Sequence, residues 1–249
     1  MNIVFINHKG GIGKTTLAVN TAFRYQEKKR KLLMVDFDEQ SNAMQLFTGY
    51  ACDGKSYWQD DKNLVTISAG FFEGIQNWSG DVIFDCPPSY ASGRFFIDFL
   101  VKNGIHIDLW IIPVESRSSM LGAGTIIGVI RSVYLNSRIV LVGNRVNSSD
   151  LTVNDRVEMA RFPNVELYNQ IIQRATETNK FEQIGGKPVW VFYKGQHWAI
   201  RMRDFADWVL SGAPSTGFTF VNDGNPPIDM DRSAFINTKS TSRREYGWL

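Results

Sequence analysis

The sequence predicts an α/β fold: a doubly wound, mostly parallel sheet with helices on both faces, followed by an extended C-terminal tail. Three observations carry that prediction. Short apolar runs recur along the chain at Ile3–Ile6, Leu32–Val35, Val82–Phe84, Leu109–Val114 and Ile139–Val142. Each is continuous rather than alternating, as strands buried on both faces are. Segments with helical spacing follow several of them. The first run also leads straight into a glycine-rich turn, His8-Lys9-Gly10-Gly11-Ile12-Gly13-Lys14-Thr15-Thr16, that opens a helix. Strand, glycine turn and helix together are the context of a phosphate-binding loop.

The physics of that loop is local. Gly10, Gly11 and Gly13 let the backbone turn tightly around Ile12 and aim its N–H groups inward. The helix start adds a positive dipole end. Lys14 supplies a point charge for the β- and γ-phosphates, and the Thr15 hydroxyl can ligate Mg²⁺. The usual pattern begins with glycine, and here His8 takes that position. A second lysine, Lys9, is not needed to bind one nucleotide within one subunit.

The helix after the loop, Thr16–Glu27, puts Ala18, Ala22 and Tyr25 on one face. It ends in Lys28-Lys29-Arg30-Lys31, which suits the negative dipole end of a helix or a nucleic-acid patch. The strand Leu32–Asp36 delivers Asp36-Phe37-Asp38-Glu39-Gln40-Ser41-Asn42 to its carboxyl end, where ligands bind in open α/β sheets. Ser41 or Asn42 is a cap for the helix that follows. Residues 49–64 have no pattern, and Val65–Ile67 is a short strand. The strand ending at Asp85, followed by Cys86-Pro87-Pro88, is an acidic metal-holding element when coupled to the loop upstream. After Leu109–Val114 comes a helix over Arg117–Val133. It is apolar around so much of its circumference that it must be deeply buried or packed against a partner subunit. Ile139–Val142 is a strand leading to Gly143-Asn144-Arg145, where Asn144 either has the donor and acceptor to read an adenine edge or is a plain turn residue. Further on, the spacing predicts a helix over 150–161, extended chain over 165–172, and helices over 173–183 and 196–210. The last has Trp198, Met202, Phe205 and Val209 on one face. Residues 1–212 form one domain and 213–249 an extended tail with Phe218, Phe220, Phe235 and Trp248 as aromatic anchors.

Composition excludes several classes. Hydrophobic content is 43% and charged content 21%, ordinary for a globular domain. A formal net charge of +2 does not mark a nucleic-acid binder in bulk, so a local basic face must carry any such role. The two cysteines, Cys52 and Cys86, form no C-x-x-C, which argues against a zinc site or disulfide framework and for a reducing cytoplasm. No apolar run approaches the roughly 18–20 residues needed to span a bilayer.

These motifs resemble the ParA/MinD family of P-loop ATPases. Lys9-Gly10-Gly11-Ile12-Gly13-Lys14-Thr15-Thr16 is similar to the family's deviant Walker A loop. Asp36-Phe37-Asp38-Glu39-Gln40-Ser41-Asn42 is similar to its Walker A′ motif, with Glu39 for the common Pro and Ser41 for the common Gly. Asp85-Cys86-Pro87-Pro88-Ser89 resembles its Walker B, and Ile111–Val114 and Ile172 through Gly186-Lys187-Pro188-Val189 resemble later stretches. The short spacing from Asp38 to Asp85 is most like the small plasmid-partition branch. The resemblance implies ATP and Mg²⁺ as cofactors. It implies Lys14 as the in-subunit phosphate lysine and Lys9 as a signature lysine reaching a partner's phosphates across a nucleotide-sandwich homodimer. It further implies that Asp38 positions the attacking water, Asp36 supports the Mg²⁺–Thr15 network, Asp85 holds the metal, and Asn144 with Arg145 meets the nucleotide.

The function implied is a DNA-partition ATPase, cytoplasmic and nucleoid-associated. Its ATP-state dimer would bind nonspecific DNA, and a centromere-binding adaptor would stimulate hydrolysis. Candidate DNA-facing cations are Arg174, Lys180, Lys187, Lys194, Arg201 and Arg203. A MinD-like positioning switch is disfavoured, because the tail is no amphipathic membrane anchor. A metabolic P-loop ligase, such as one like dethiobiotin synthetase, is the other alternative.

Overall fold

The computed structural model describes residues 1–38, 40–50, 57–60, 64–69, 74–146, 164–168, 170, 172–173, 175 and 179–215. The helix expected over 150–161 and the tail from 216 onward lie outside the described residues.

The strands are β1 (Asn2–Phe5), β2 (Leu32–Asp36), β3 (Tyr57–Gln59), β4 (Val65–Ala69), β5 (Asp81–Asp85), β6 (Leu109–Val114), β7 (Arg138–Val146), β8 (Val165–Leu167) and β9 (Ile172–Gln173). They form one sheet in the order β3-β4-β2-β5-β1-β6-β7-β8, and β9 pairs with β7. All pairings are parallel except β3 with β4. The doubly wound, mostly parallel sheet expected from the continuous apolar runs is therefore the fold observed. The register aligns the strand ends: Asp36 pairs with Asp85, and Phe5 pairs with Asp85. The carboxyl ends of β1, β2 and β5 thus lie side by side.

Seven described helices cover the faces: α1 (Lys14–Glu27), α2 (Asn42–Thr48), α3 (Tyr90–Lys102), α4 (Arg117–Val133), α5 (Asn179–Ile184), α6 (Val189–Phe192) and α7 (His197–Leu210). One face buries Ile3, Phe5, Met34 and Ile83 beneath α1, α2 and α7. The other buries Val4, Leu33, Val35 and Phe84 beneath α3 and α4. Each such side chain contributes about 1.5–3 kcal/mol on burial. The predicted faces of α1 (Ala18, Ala22, Tyr25) and α7 (Met202, Phe205, Val209) are buried as expected.

Three expectations change. The helix α3 is an addition: Ser89 caps it by accepting from the Ser92 N–H at 3.0 Å, and Phe96, Ile97 and Leu100 form its buried stripe. The helix expected from residue 173 begins later, because Ile172 and Gln173 pair with β7 beside Asn144. In this single chain α4 is not deeply buried. Ala123, Ile126, Ile127 and Ile130 face the core, while Ser118, Leu121, Thr125, Gly128 and Ser132 are exposed.

Candidate functional site

The site is built on the loop between β1 and α1. Asn7, fully buried, anchors its start by donating Nδ2 to the Pro113 carbonyl at 2.9 Å and accepting from the Lys9 N–H at 3.1 Å. Gly11 and Gly13 take left-handed φ values of 75° and 85°, which glycine alone adopts freely. Gly13 has a second constraint, since a Cβ there would lie 2.4 Å from Asn144 Nδ2. Ile12 is buried and Gly10 exposed. Three loop carbonyls are turned toward side-chain donors. Lys9 O accepts from Lys14 Nζ at 3.2 Å, Gly11 O from Arg145 at 2.5 Å, and Ile12 O from Asn144 Nδ2 at 2.7 Å. With those peptide oxygens held, the loop is set in the concave form that binds anions. Asn20 links the Thr16 carbonyl (2.8 Å) to the Val189 N–H (2.9 Å), locking α1 to the Pro188–Val189 stretch.

The acids converge on this loop from β2 and β5. Asp36 is fully buried. One oxygen accepts from Asp38 N–H at 3.1 Å, and the other from Ala43 and Met44 N–H at 2.9 and 3.3 Å. Asp36 is therefore the cap of α2. Ser41 holds the N-cap position, one of the two expected, but it is left-handed, at φ 52°, and its buried hydroxyl makes no hydrogen bond among the described residues, so the capping side chain is that of Asp36. Burial pushes the Asp36 carboxyl up to about 6, against the pull of those three N–H groups.

Asp85 is different. It is fully buried, and neither oxygen has a well-formed hydrogen bond among the described residues. Burial first, and the Asp36 charge second, raise its pKa well above the carboxylate range, while the nearby Thr15 hydroxyl and Lys14 favour the ionised form. A buried carboxylate so poorly satisfied fits a cation neighbour. Among the described residues no three His, Cys, Asp or Glu side chains cluster as a metal cage. Lys14 is buried and its pKa is lowered by that burial, with Asp85, Cys86 and Asp38 pulling the other way.

A cleft of about 430 Å³ opens over these groups. Gly11, Gly13, Lys14, Thr15, Thr16, Asp38 and Arg145 line one side, and Gln45, Leu46, Tyr50, Glu182 and Ile184 the other. This second group, from α2, the turn after it and α5, was not legible in sequence, because residues about 140 apart compose it. A smaller recess of about 30 Å³ adjoins it, lined by Gly13, Thr16, Arg145, Ile172, Trp198 and Met202 among others. Asn144 is 2% exposed, its amide turned to the loop. Arg145 lines both spaces.

Lys9 points away from Lys14. Its Nζ pairs with Glu115 at 2.7 Å and donates to Ser118 at 3.3 Å, in the first turn of α4 and just before it. His8 sits over Gly122 of the same helix, where a Cβ would lie 2.6 Å from its Nε2. Of the cations proposed for a basic face, Lys187, Lys194 and Arg203 are exposed and Arg201 is half-buried. Arg174 and the Lys180 side chain lie outside the described residues. Lys31 lies over the Trp78 ring at 4.6 Å, and Arg30, though exposed, reaches the Leu210 carbonyl at 2.5 Å, so two of the four cations after α1 make contacts within the fold. No described helix is long and apolar enough to cross a membrane.

Comparison with known proteins places this geometry. Residues 3–188 match the family described as the CobQ/CobB/MinD/ParA nucleotide binding domain. An uncharacterized protein of Methanocaldococcus jannaschii is 25% identical over 260 residues, 84% of this chain and 97% of that protein. The chromosome-partitioning ATPase Soj of Treponema pallidum is 50% identical over 40 residues, 16% of each chain. Among solved structures, the MinC:MinD cell division protein complex of Aquifex aeolicus is similar with a TM-score of 0.63 at 20% identity. It covers 84% of this chain and 95% of that one.

Proposed function

Because the chain belongs to the CobQ/CobB/MinD/ParA nucleotide-binding family, we propose that it is an ATP-driven dimerising switch that partitions DNA. The observation that carries the reading is the convergence of Lys14, Thr15 and Asp38 on one cleft, with the poorly satisfied Asp85 buried beside Thr15 and Lys14 at the carboxyl end of β5. In this reading the loop N–H groups and Lys14 bind the β- and γ-phosphates of ATP. Thr15 and Asp85 hold Mg²⁺, which when bound neutralises developing phosphate charge. Asp36 acts through structure: it caps α2 and holds the Asp38 N–H. Asp38 orients the attacking water, and Arg145 flanks the base. Lys9 leaves Glu115 to serve the partner's phosphates in the ATP dimer. Exposed cations on the α6–α7 side, Lys187, Lys194 and Arg203, meet the DNA backbone, and a centromere-binding adaptor stimulates hydrolysis.

A mobility shift on nonspecific DNA with ATP, ADP or no nucleotide, run beside phosphate release, tests this. The expected result is binding in the ATP state alone, weakening steeply with salt as phosphate contacts do. Hydrolysis without DNA binding in any nucleotide state would remove the partition role and leave the ATPase.

A further inference from the structure

We propose that Phe37 is a positioning residue for Asp38: its ring, wedged against α3, fixes the turn that holds the Asp38 carboxylate at the cleft. The inference rests on the proposed role of Asp38 in hydrolysis.

The alternation of β2 sends Leu33, Val35 and then Phe37 to the α3 side of the sheet, and Met34 and Asp36 to the α1–α2 side. Pairing with β5 continues one residue past the strand, the Phe37 N–H donating to the Asp85 carbonyl at 3.0 Å. The Phe37 ring lies 4.8 Å from Phe96 at 73° and 5.2 Å from Phe99 at 50°. Phe96 is fully buried and packs in turn on Phe84 of β5 at 5.7 Å. The two carboxylate-bearing segments are therefore joined a second time, through α3, on the sheet face opposite the cleft.

Asp38 stands just beyond this wedge. Its N–H is held by Asp36, its own Oδ1 accepts from the Gln40 N–H at 3.1 Å, and its carbonyl accepts from Ser41 N–H at 2.9 Å. These bonds close the turn on itself. Among the described residues the turn is tethered by the Asp36 cap of α2 on one sheet face, by the Phe37 N–H on the Asp85 carbonyl in the plane of the sheet, and by the Phe37 ring on the other face. Without the ring the backbone bond and the cap remain, but neither braces the turn on the α3 face, and it gains freedom to rock. A rocking turn keeps phosphate binding, which rests on the loop and Lys14, and loses the aim of Asp38.

The test compares Phe37→Ala, Phe37→Tyr and Phe99→Ala in the full chain. Phosphate release gives kcat, a fluorescent ATP analogue gives affinity, and amide exchange follows the turn. Phe37→Ala is expected to lower kcat about tenfold or more, the scale of a small misplacement at a reacting centre, with affinity within about twofold of the parent. Phe37→Tyr, which keeps the ring, should restore kcat. Phe99→Ala, on α3 outside the cleft, should lower kcat in the same direction. Exchange at the Asp38 and Gln40 amides should rise while that at Ala43 and Met44 holds. A folded Phe37→Ala with parental kcat overturns the proposal, as does a loss of kcat matched by an equal loss of affinity. Should Phe37→Ala not fold, the same two outcomes are read on Phe99→Ala. Should the parent release no phosphate, the ATPase reading fails on its own, and the exchange pattern still decides whether Phe37 holds the turn.

Discussion

Asp36 shows how one side chain serves structure and charge together. Its three N–H partners favour the carboxylate, yet burial prevails and holds its pKa near 6. The unfolded value is about 3.9, so between those values the folded chain keeps a proton that the unfolded chain has lost. The sign follows: this contribution to stability is complete below about pH 4 and is lost as pH rises through about 6. Its size is about 3 kcal/mol at most. With EDTA present, the denaturant midpoint should therefore fall between about pH 4 and pH 7, and Asp36→Asn should flatten that dependence. A midpoint that falls over that window to the same degree in the variant as in the parent would remove Asp36 as the titrating group. The sequence made Asp36 legible as an acid at a strand end, because strand and loop are contiguous there. It did not make the cap legible. The capped amides lie beyond Ser41, and the ordinary capping signal pointed to that nearer hydroxyl.

At the scale of elements, close approach separates glycines that look alike in sequence. Gly185 turns at φ 59° against the end of α2, where a Cβ would meet the Gln45 and Leu46 carbonyls at 2.9 Å. The Gly186 N–H donates to the same Leu46 carbonyl at 2.9 Å. Gly128 lies on the exposed side of α4 with nothing within 4 Å. Gly185→Ala should therefore destabilise by about 1–3 kcal/mol, combining the left-handed penalty with backbone collision. Gly128→Ala should stabilise by up to about 1 kcal/mol through helix propensity. Paired thermal melts check both, and equal shifts would refute the distinction. Elements also differ in how far local pattern reveals them. Strands with continuous Val/Ile/Leu runs were legible because both faces are buried. The helix α3 was not, since exposed Phe95 blurs its apolar stripe, although the Ser89 cap was there to be read. Strand β9 was legible by half: Ile172 closes the extended stretch read over 165–172, whereas Gln173, read as the start of a helix, is extended through its distant pairing with β7.

At the scale of the whole molecule the question is whether the site is complete in one chain. Lys14 lies within the cleft, buried, with its Nζ on a loop carbonyl. Lys9, five residues earlier, is held on α4 by Glu115 and Ser118. That ion pair is partly exposed, at 38% and 21% for the two side chains. Such pairs contribute at most about 1 kcal/mol, so the contact is readily exchanged for another. Two accounts of Lys9 then differ in what its removal does. If its role is to pair with Glu115, Lys9→Ala changes stability slightly and leaves nucleotide chemistry intact. If it leaves Glu115 to enter a facing subunit's cleft, it meets concentrated phosphate charge away from water, where a single cation can contribute on the order of 10³-fold in rate. We expect the second outcome. Lys9→Ala should bind ATP as a monomer with Lys14 doing the in-subunit work, and should lose the ATP-dependent dimer, hydrolysis and dimer-dependent DNA binding together. Light scattering with ATP beside phosphate release decides it, and a variant that dimerises and hydrolyses like the parent would return Lys9 to the role of a surface charge on α4.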